Sequence, residues 1–224
     1  MNQGFTYAVD IVFVIDATAS MGGIIDQVKA GALRFHDELG DAMGQKGKAV
    51  DTLRVRTVVF RDFYAEDAEP LAASEFYTLP GDQDEYTRFV HAIRATGGGD
   101  EPENALEALV TAMRSPWTAG GSKRRHVIVV WTDASAHPLE RKADDKPRDY
   151  PRDMPRDFDE LTDFWDGQYL DASAKRLLLF APDAYPWSDI SNHWESVLHY
   201  PSRAGAGLSD IDYDTILQSI ANSV

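Results

Sequence analysis

The chain has 224 residues, 43% of them hydrophobic, which is enough for one sizeable core and too few for two comfortable domains. Its net charge of −15 argues against a phosphate backbone or an anionic membrane as partner. Cysteine is absent, which excludes disulfides, a thiol nucleophile and a thiolate metal site. No segment is apolar enough to cross a bilayer, and the first residues lack the basic-then-apolar run of a signal peptide. Together with the missing cysteine, this sets the expectation of a cytoplasmic protein.

The first element is a run of apolar, β-branched residues, Val9 and Ile11 to Ile15, of the kind buried on both faces of a sheet. It stops at Asp16, and Thr18 and Ser20 follow at alternate positions. A carboxylate and two hydroxyls then stand at the carboxyl end of a central strand, where open α/β sheets bind their ligands. Such an all-oxygen set suits a hard divalent cation, Mg²⁺ first. Ile25, Val28, Ala32, Phe35 and Leu39 fall at steps of three and four, predicting an amphipathic helix near 22–40. Gly44 and Gly47 mark a loop, and 53–60 reads as a second strand. A short third strand over 75–79 lies close enough to it for an antiparallel hairpin. Helices follow near 83–94 and, after the Gly97-Gly98-Gly99 break, from Leu106 to Ser115. A fully apolar strand at 126–131 ends on Thr132-Asp133, with further strands at 177–180 and 197–200. A last helix is predicted near 210–223, with Ser209 and Asp212 at capping-box spacing. This alternation predicts an α/β fold with a mostly parallel central sheet, helices on both faces and one antiparallel edge strand.

Three strand-end or loop segments converge: Asp16/Thr18/Ser20, Gly99-Asp100 and Asp133. In this the chain resembles the von Willebrand factor type A (VWA) domain, over nearly its whole length. The family's metal-ion-dependent adhesion site reads Asp-x-Ser-x-Ser, then a Thr in a Gly-rich loop, then an Asp ending the fourth strand. Here Asp16-Ala17-Thr18-Ala19-Ser20 keeps both hydroxyls, Asp133 ends the strand, and Asp100 stands where Thr is usual. Gly97-Gly-Gly-Asp-Glu-Pro-Glu103 is similar to a variant within the family, as is Phe60-Arg-Asp-Phe63. The resemblance implies a Rossmann-like three-layer sandwich forming a single domain over 1–224, with a Pro/Arg/Asp-rich insertion at about 138–158. It implies a metal site of Asp16, Thr18, Ser20, Asp100 and Asp133, holding Mg²⁺, with Mn²⁺ or Ca²⁺ as alternatives. Thr18 and Ser20 would coordinate directly, Asp16 and Asp133 directly or through water, and an open position would accept a carboxylate of a protein partner. The implied role is a non-enzymatic adaptor or scaffold, within an assembly that can include an ATPase.

Other readings stand beside these. Asp100, with Pro102 and Glu103, has the spacing of a helix capping box, and Ser20 can cap the helix after it. Arg61-Asp62 reads as a local ion pair, with Arg61 also a candidate partner contact. His137, just after the Asp133 loop, has no second His at a ligating spacing, so it is a candidate partner contact and not a zinc ligand. Pro147-Arg-Asp-Tyr, Pro151-Arg-Asp-Met and Pro155-Arg-Asp-Phe158 form a tetrapeptide repeat in which proline prevents a helix until after Pro155. Its Arg148, Arg152 and Arg156 belong either to a flexible solvated loop or to a rim that selects an acidic partner. The Asp16 motif is also similar to the phosphorylated-aspartate motif of haloacid-dehalogenase-like phosphatases and P-type ATPases. In that alternative the chain is a Mg²⁺-dependent phosphohydrolase, with Asp16 as nucleophile and Asp144-Asp145 helping to hold the cation. Thr18 stands where the phosphatases place a second Asp, Ala17 where the ATPases place Lys, and the triple Gly is followed by Asp and Glu rather than by a phosphate-binding Lys.

Overall fold

The computed structural model describes residues 7–45, 50–65, 69–99, 101–121, 123–140, 147, 150–202, 218, 219 and 222. β1 (Tyr7–Asp16) is the centre of the sheet, because its apolar run has no polar face to give to water. β2 (Thr52–Phe60) and β5 (Lys123–Trp131) flank it in parallel, with Val14 opposite Val58 on one side and Val130 on the other. β6 (Lys175–Pro182) and β7 (Val197–Ser202) continue the parallel sheet beyond β5. On the far side of β2 run two short antiparallel strands, β3 (Leu71–Ala73) and β4 (Tyr77–Leu79). The edge strand expected at 75–79 is observed as β4, two residues shorter, and β3 before it was not anticipated. The break between them is at Ser74, whose hydroxyl accepts the Thr57 N–H (3.0 Å) while its own N–H donates to Thr57 O (2.9 Å). A side-chain oxygen has taken over a ladder bond, and the strand restarts after it.

The alternation along β1 divides the core. Val9, Ile11, Phe13 and Ile15 face one layer, where α1 (Ile25–Gln45) brings Val28, Phe35 and Leu39 and α2 (Gln83–Ala92) brings Tyr86 and Val90. Val12 and Val14 face the other, against Leu106 and Leu109 of α3 (Ala105–Met113), Leu161 of α4 (Phe158–Asp163), and Trp187 and Ile190 of α5 (Trp187–His193). The expected three-layer α/β sandwich is the observed one. α1 starts three residues later and ends five later than its periodicity predicts, with a 3₁₀ turn, Ala19–Gly23, ahead of it. Of the last predicted helix only 218, 219 and 222 are described. All three are helical, and Ser219 Oγ donates to Tyr200 Oη (2.6 Å); Ser209 and Asp212 lie outside the described residues. The chain leaves β1 towards β2 and returns through β5 on the opposite side. That reversal places the ends of β1 and β5 at the topological switch point, the ligand-binding crevice of open α/β sheets.

Candidate metal centre

Backbone hydrogen bonds hold the turn after β1 between the end of β2 and the Gly-rich loop. Ala17 N–H donates to Phe60 O (2.9 Å), Thr96 N–H to Ala17 O (2.9 Å) and Ala19 N–H to Gly97 O (3.0 Å). Asp16 is fully buried there. Its Oδ1 accepts from Thr18 N–H (2.9 Å) and Thr18 Oγ1 (2.6 Å), and its Oδ2 accepts from Thr132 Oγ1 (2.7 Å). Ser20 Oγ donates to Asp133 Oδ1 (3.0 Å) and lies 3.1 Å from Thr18 Oγ1. Asp16, Thr18, Ser20 and Asp133 are thus joined by one chain of oxygens. The fifth predicted ligand, Asp100, lies outside the described residues.

Burial pushes the Asp16 carboxyl up to about 6; hydrogen bonds from Thr18 and Thr132 pull it back, and the nearby Asp133 charge adds to the rise. A cation in this position would reverse that balance. The donor chemistry fits one. Each hydroxyl has a single hydrogen, and the geometry commits that of Thr18 to Asp16 and that of Ser20 to Asp133, leaving oxygen lone pairs for another partner. Adjacent ligands of octahedral Mg²⁺ are about 3.0 Å apart, given bonds of about 2.1 Å. The two hydroxyl oxygens are already at that separation. Among the described residues no group of three or more His, Cys, Asp or Glu could hold a metal, so a cation here depends on the hydroxyls.

The Gly-rich loop closes the site from one side. Gly98 has φ +76°, and a Cβ on it would stand 2.9 Å from Thr18 Cβ and 3.0 Å from Glu103 Oε1, so glycine alone fits. Glu103 therefore abuts the same loop as Thr18, and buried Asp62 lies beyond it, its Oδ2 3.7 Å from where a Gly99 Cβ would be. α3 begins at Ala105 with Asn104 as its N-cap residue, so Glu103 is not the third residue of a capped helix and the capping-box spacing does not operate. Instead Asn104 Oδ1 accepts Phe63 N–H (2.7 Å), and its Nδ2 donates to Glu107 Oε1 (2.9 Å). Ser20 lies inside the 3₁₀ turn rather than capping α1.

Arg61 does not pair with Asp62. Its guanidinium donates to the carbonyls of Glu69 (3.0 Å), Arg94 (2.8 Å) and Thr96 (3.1 Å), tying the β2 end to the segment before the Gly-rich loop. His137 is nearly buried, with Nε2 3.6 Å from Asp62 Oδ1 and its ring 5.0 Å from that of Tyr64. Arg152 and Arg156 are exposed, Arg156 against Glu160 (3.1 Å), and Arg148 lies outside the described residues. The spacing-based reading overlooked Thr132, Glu103, Asn104 and α5. Trp187 of that helix donates to Ala134 O (2.9 Å) and supports the Asp133 loop. Only Thr132 carried a local signal, a hydroxyl beside the strand-ending Asp133.

A model of the von Willebrand factor A domain matches residues 10–144. The chain belongs to the von Willebrand factor A domain family. The matched part of this VWA domain holds Asp16, Thr18, Ser20 and Asp133. A curated relative, the alpha-protein kinase vwkA of Dictyostelium discoideum, is 29% identical over 132 residues, which are 59% of this chain and 19% of the kinase. Among solved structures, the pilus adhesin SpaC of Lactobacillus rhamnosus GG superposes with a TM-score of 0.59 at 13% identity, covering 98% of this chain and 31% of the adhesin. Proximal thread matrix protein 1 of the mussel byssus gives 0.52 at 11% identity, covering 98% and 49%. At these identities the structural likenesses show the fold alone. The chain spans about a fifth of the kinase and a third of the adhesin.

Proposed function

We propose that this domain binds a divalent cation, Mg²⁺ before Mn²⁺ or Ca²⁺, and through it a carboxylate of another protein. The observation that carries the reading is the Asp16–Thr18–Ser20–Asp133 oxygen chain, in which the hydroxyl hydrogens are taken up by carboxylates. Thr18 and Ser20 would hold the cation, Asp16 and Asp133 would balance its charge directly or through water, and Asp100 would add to that charge. When bound, the cation supplies a positive centre that makes a dehydrated partner carboxylate tolerable. Thr132 keeps Asp16 oriented, and Gly98 lets the loop lie against Thr18. The names of a pilus adhesin and a byssal matrix protein among the structural neighbours support a binding role. The proposal extends, on the family resemblance, to a cytoplasmic adaptor or scaffold in an ATPase-containing assembly. Among the described residues no helix is long and apolar enough to cross a membrane.

A hydrolase is the weaker reading. The Asp16 carboxylate is fully buried and both its oxygens accept hydrogen bonds, so attack on a phosphoryl group would require displacing Thr18 or Thr132. Asp144 and Asp145 lie outside the described residues. The purified protein should not turn over aryl phosphates or nucleotides, and Mg²⁺-dependent turnover lost in Asp16→Asn would overturn the binding reading.

The direct test is thermal. A ligand at a hundred times its Kd stabilises the native state by about 2.7 kcal/mol, or about 5–10 °C for a chain of this size. Saturating Mg²⁺ or Mn²⁺ should raise Tm by that order, and Asp16→Ala should abolish most of the increment. Equal increments in the two proteins would put any metal site elsewhere.

A further inference from the structure

We propose that a cleft on the flank of the candidate metal centre is a second anionic subsite, which takes another acidic side chain from the same partner segment. The proposal rests on the reading above for the partner's chemistry. The cleft, of about 510 Å³, lies between the start of α1 and the end of α2, lined among others by Gly22, Asp26, Lys29, His91, Arg94 and Ala95. Gly22 follows Ser20 by two residues, and Ala95 precedes Thr96, whose N–H holds Ala17 O. The cleft therefore opens beside the oxygen cluster.

Lys29 is its central feature. Only 8% of the residue is exposed, yet among the described residues its ammonium has just two partners, Ile93 O at 3.1 Å and Asp26 Oδ1 at 3.5 Å. The Asp26 side chain is 92% exposed, so it offers a screened, high-dielectric attraction that does little to offset burial of an ammonium. An ammonium carries three donors, and among the described residues this one makes a single hydrogen bond. Arg94 stands exposed at the mouth. Its Nη1 is anchored on the Ile93 carbonyl (2.9 Å) and on that of His91, and its own carbonyl is held by Arg61 Nη2 (2.8 Å). The charged and titratable groups on the cleft are thus Lys29 and Arg94 against Asp26, with His91 able to add a further positive charge. A locally cationic hollow on a chain of net charge −15 is complementary to an acidic occupant. Its position beside the oxygen cluster suits a segment whose first carboxylate goes to the cation.

The probes are capped glycine-rich peptides carrying one Asp, or two Asp separated by one to five residues, titrated against the full chain and followed by NMR at saturating Mg²⁺. At the best spacing the two-Asp peptide should bind about tenfold more tightly than the one-Asp peptide. Lys29→Met keeps the buried stem while removing the charge, and Arg94→Gln changes an exposed residue. Each should shrink the preference, and together they should erase it, leaving one-Asp binding unchanged. A preference that survives both variants overturns the subsite. So does the absence of any spacing that outbinds one Asp, or of any binding at millimolar peptide. Chelation separates the two proposals. If one-Asp binding is equal with and without Mg²⁺, the metal-bridged reading fails, while the Lys29 and Arg94 variants still report on the cleft.

Discussion

A hydroxyl oxygen serves a cation well when its hydrogen is committed elsewhere, and Thr18 and Ser20 meet that condition through carboxylates at the ends of two neighbouring strands. Thr18→Ser should therefore keep the metal-induced rise in Tm, whereas Thr18→Val and Ser20→Ala should lose most of it. Thr18→Val should also cost about 1–3 kcal/mol without metal, because buried Asp16 Oδ1 loses a donor. A full metal response in the valine variant would remove Thr18 from the ligand set. A different buried group adds its own pH dependence to stability. His126 Nε2 lies 3.0 Å from Thr118 O, the ring stacks on Trp117 at 5.0 Å, and buried Nδ1 has no partner among the described residues. Burial lowers its pKa below the usual 6.5, since a proton on Nδ1 would lack an acceptor. A depressed folded pKa means that the unfolded chain binds the proton first. The stabilising contribution is thus complete above about pH 6.5 and is lost as pH falls through the folded value. Urea denaturation of the wild type and His126→Gln should show a stability gap that narrows as pH drops below 6.5, and a gap constant from pH 5 to 8 would show that the ring titrates normally. Asp16, Thr18, Ser20 and Asp133 were legible in the sequence because each abruptly ends or follows an apolar strand. Thr132 showed only as a hydroxyl beside Asp133, and neither its role nor that of Asn104 was legible, because their partners Asp16 and Phe63 sit 116 and 41 positions away and only the fold brings them together.

The Pro-Arg-Asp repeat shows how a composition that reads as a solvated loop can be ordered by every fourth residue. Tyr150 packs its ring 5.5 Å from that of Phe63, and its hydroxyl donates to Glu107 Oε1 on α3 (2.5 Å). Met154 packs against the buried cluster, and Phe158 stacks on Trp194 at 6.0 Å. Arg152 and Arg156 stay outside, and Asp157 caps α4 by accepting Glu160 N–H (2.8 Å). The described part is packed structure with an outward basic edge, not a flexible loop. Tyr150→Phe should destabilise by about 1–3 kcal/mol in urea, since it strips a donor from a buried carboxylate, and Phe158→Ala by a similar amount. Changes under about 0.5 kcal/mol in both would return the segment to solvent. The parallel strands and long helices were legible because their periods run over many residues. α4 and α5 were not: at six and seven residues they are too short for a period to emerge, and their anchors, such as Trp187 and Trp194, read equally well as loop aromatics. The break in the edge strand was equally silent, because any serine can lend its hydroxyl to a ladder.

The whole domain carries a charge of −15, which creates a second and unwanted mode of association. Basic proteins will be attracted to it without any specific contact, through a field that falls off over about 8 Å at physiological ionic strength. A metal-bridged contact behaves differently. As proposed, it would depend on a cation held by Thr18, Ser20 and their carboxylates and would be desolvated and short-range, so it would resist moderate salt but not removal of the cation. Capture from lysate on the immobilised domain, run at low and high salt and with Mg²⁺ or chelator, should therefore resolve two sets. One should be released by salt and indifferent to chelator, and it should be basic. The other should survive salt and be released by chelator, and Asp16→Ala should fail to capture it. The second set contains the partners that the metal centre is proposed to bind, and its members should lose binding when acidic residues at the contact are neutralised. If every captured protein leaves with salt and none with chelator, association runs through the surface field alone, and the oxygen cluster at the ends of β1 and β5 is a structural network rather than a binding centre.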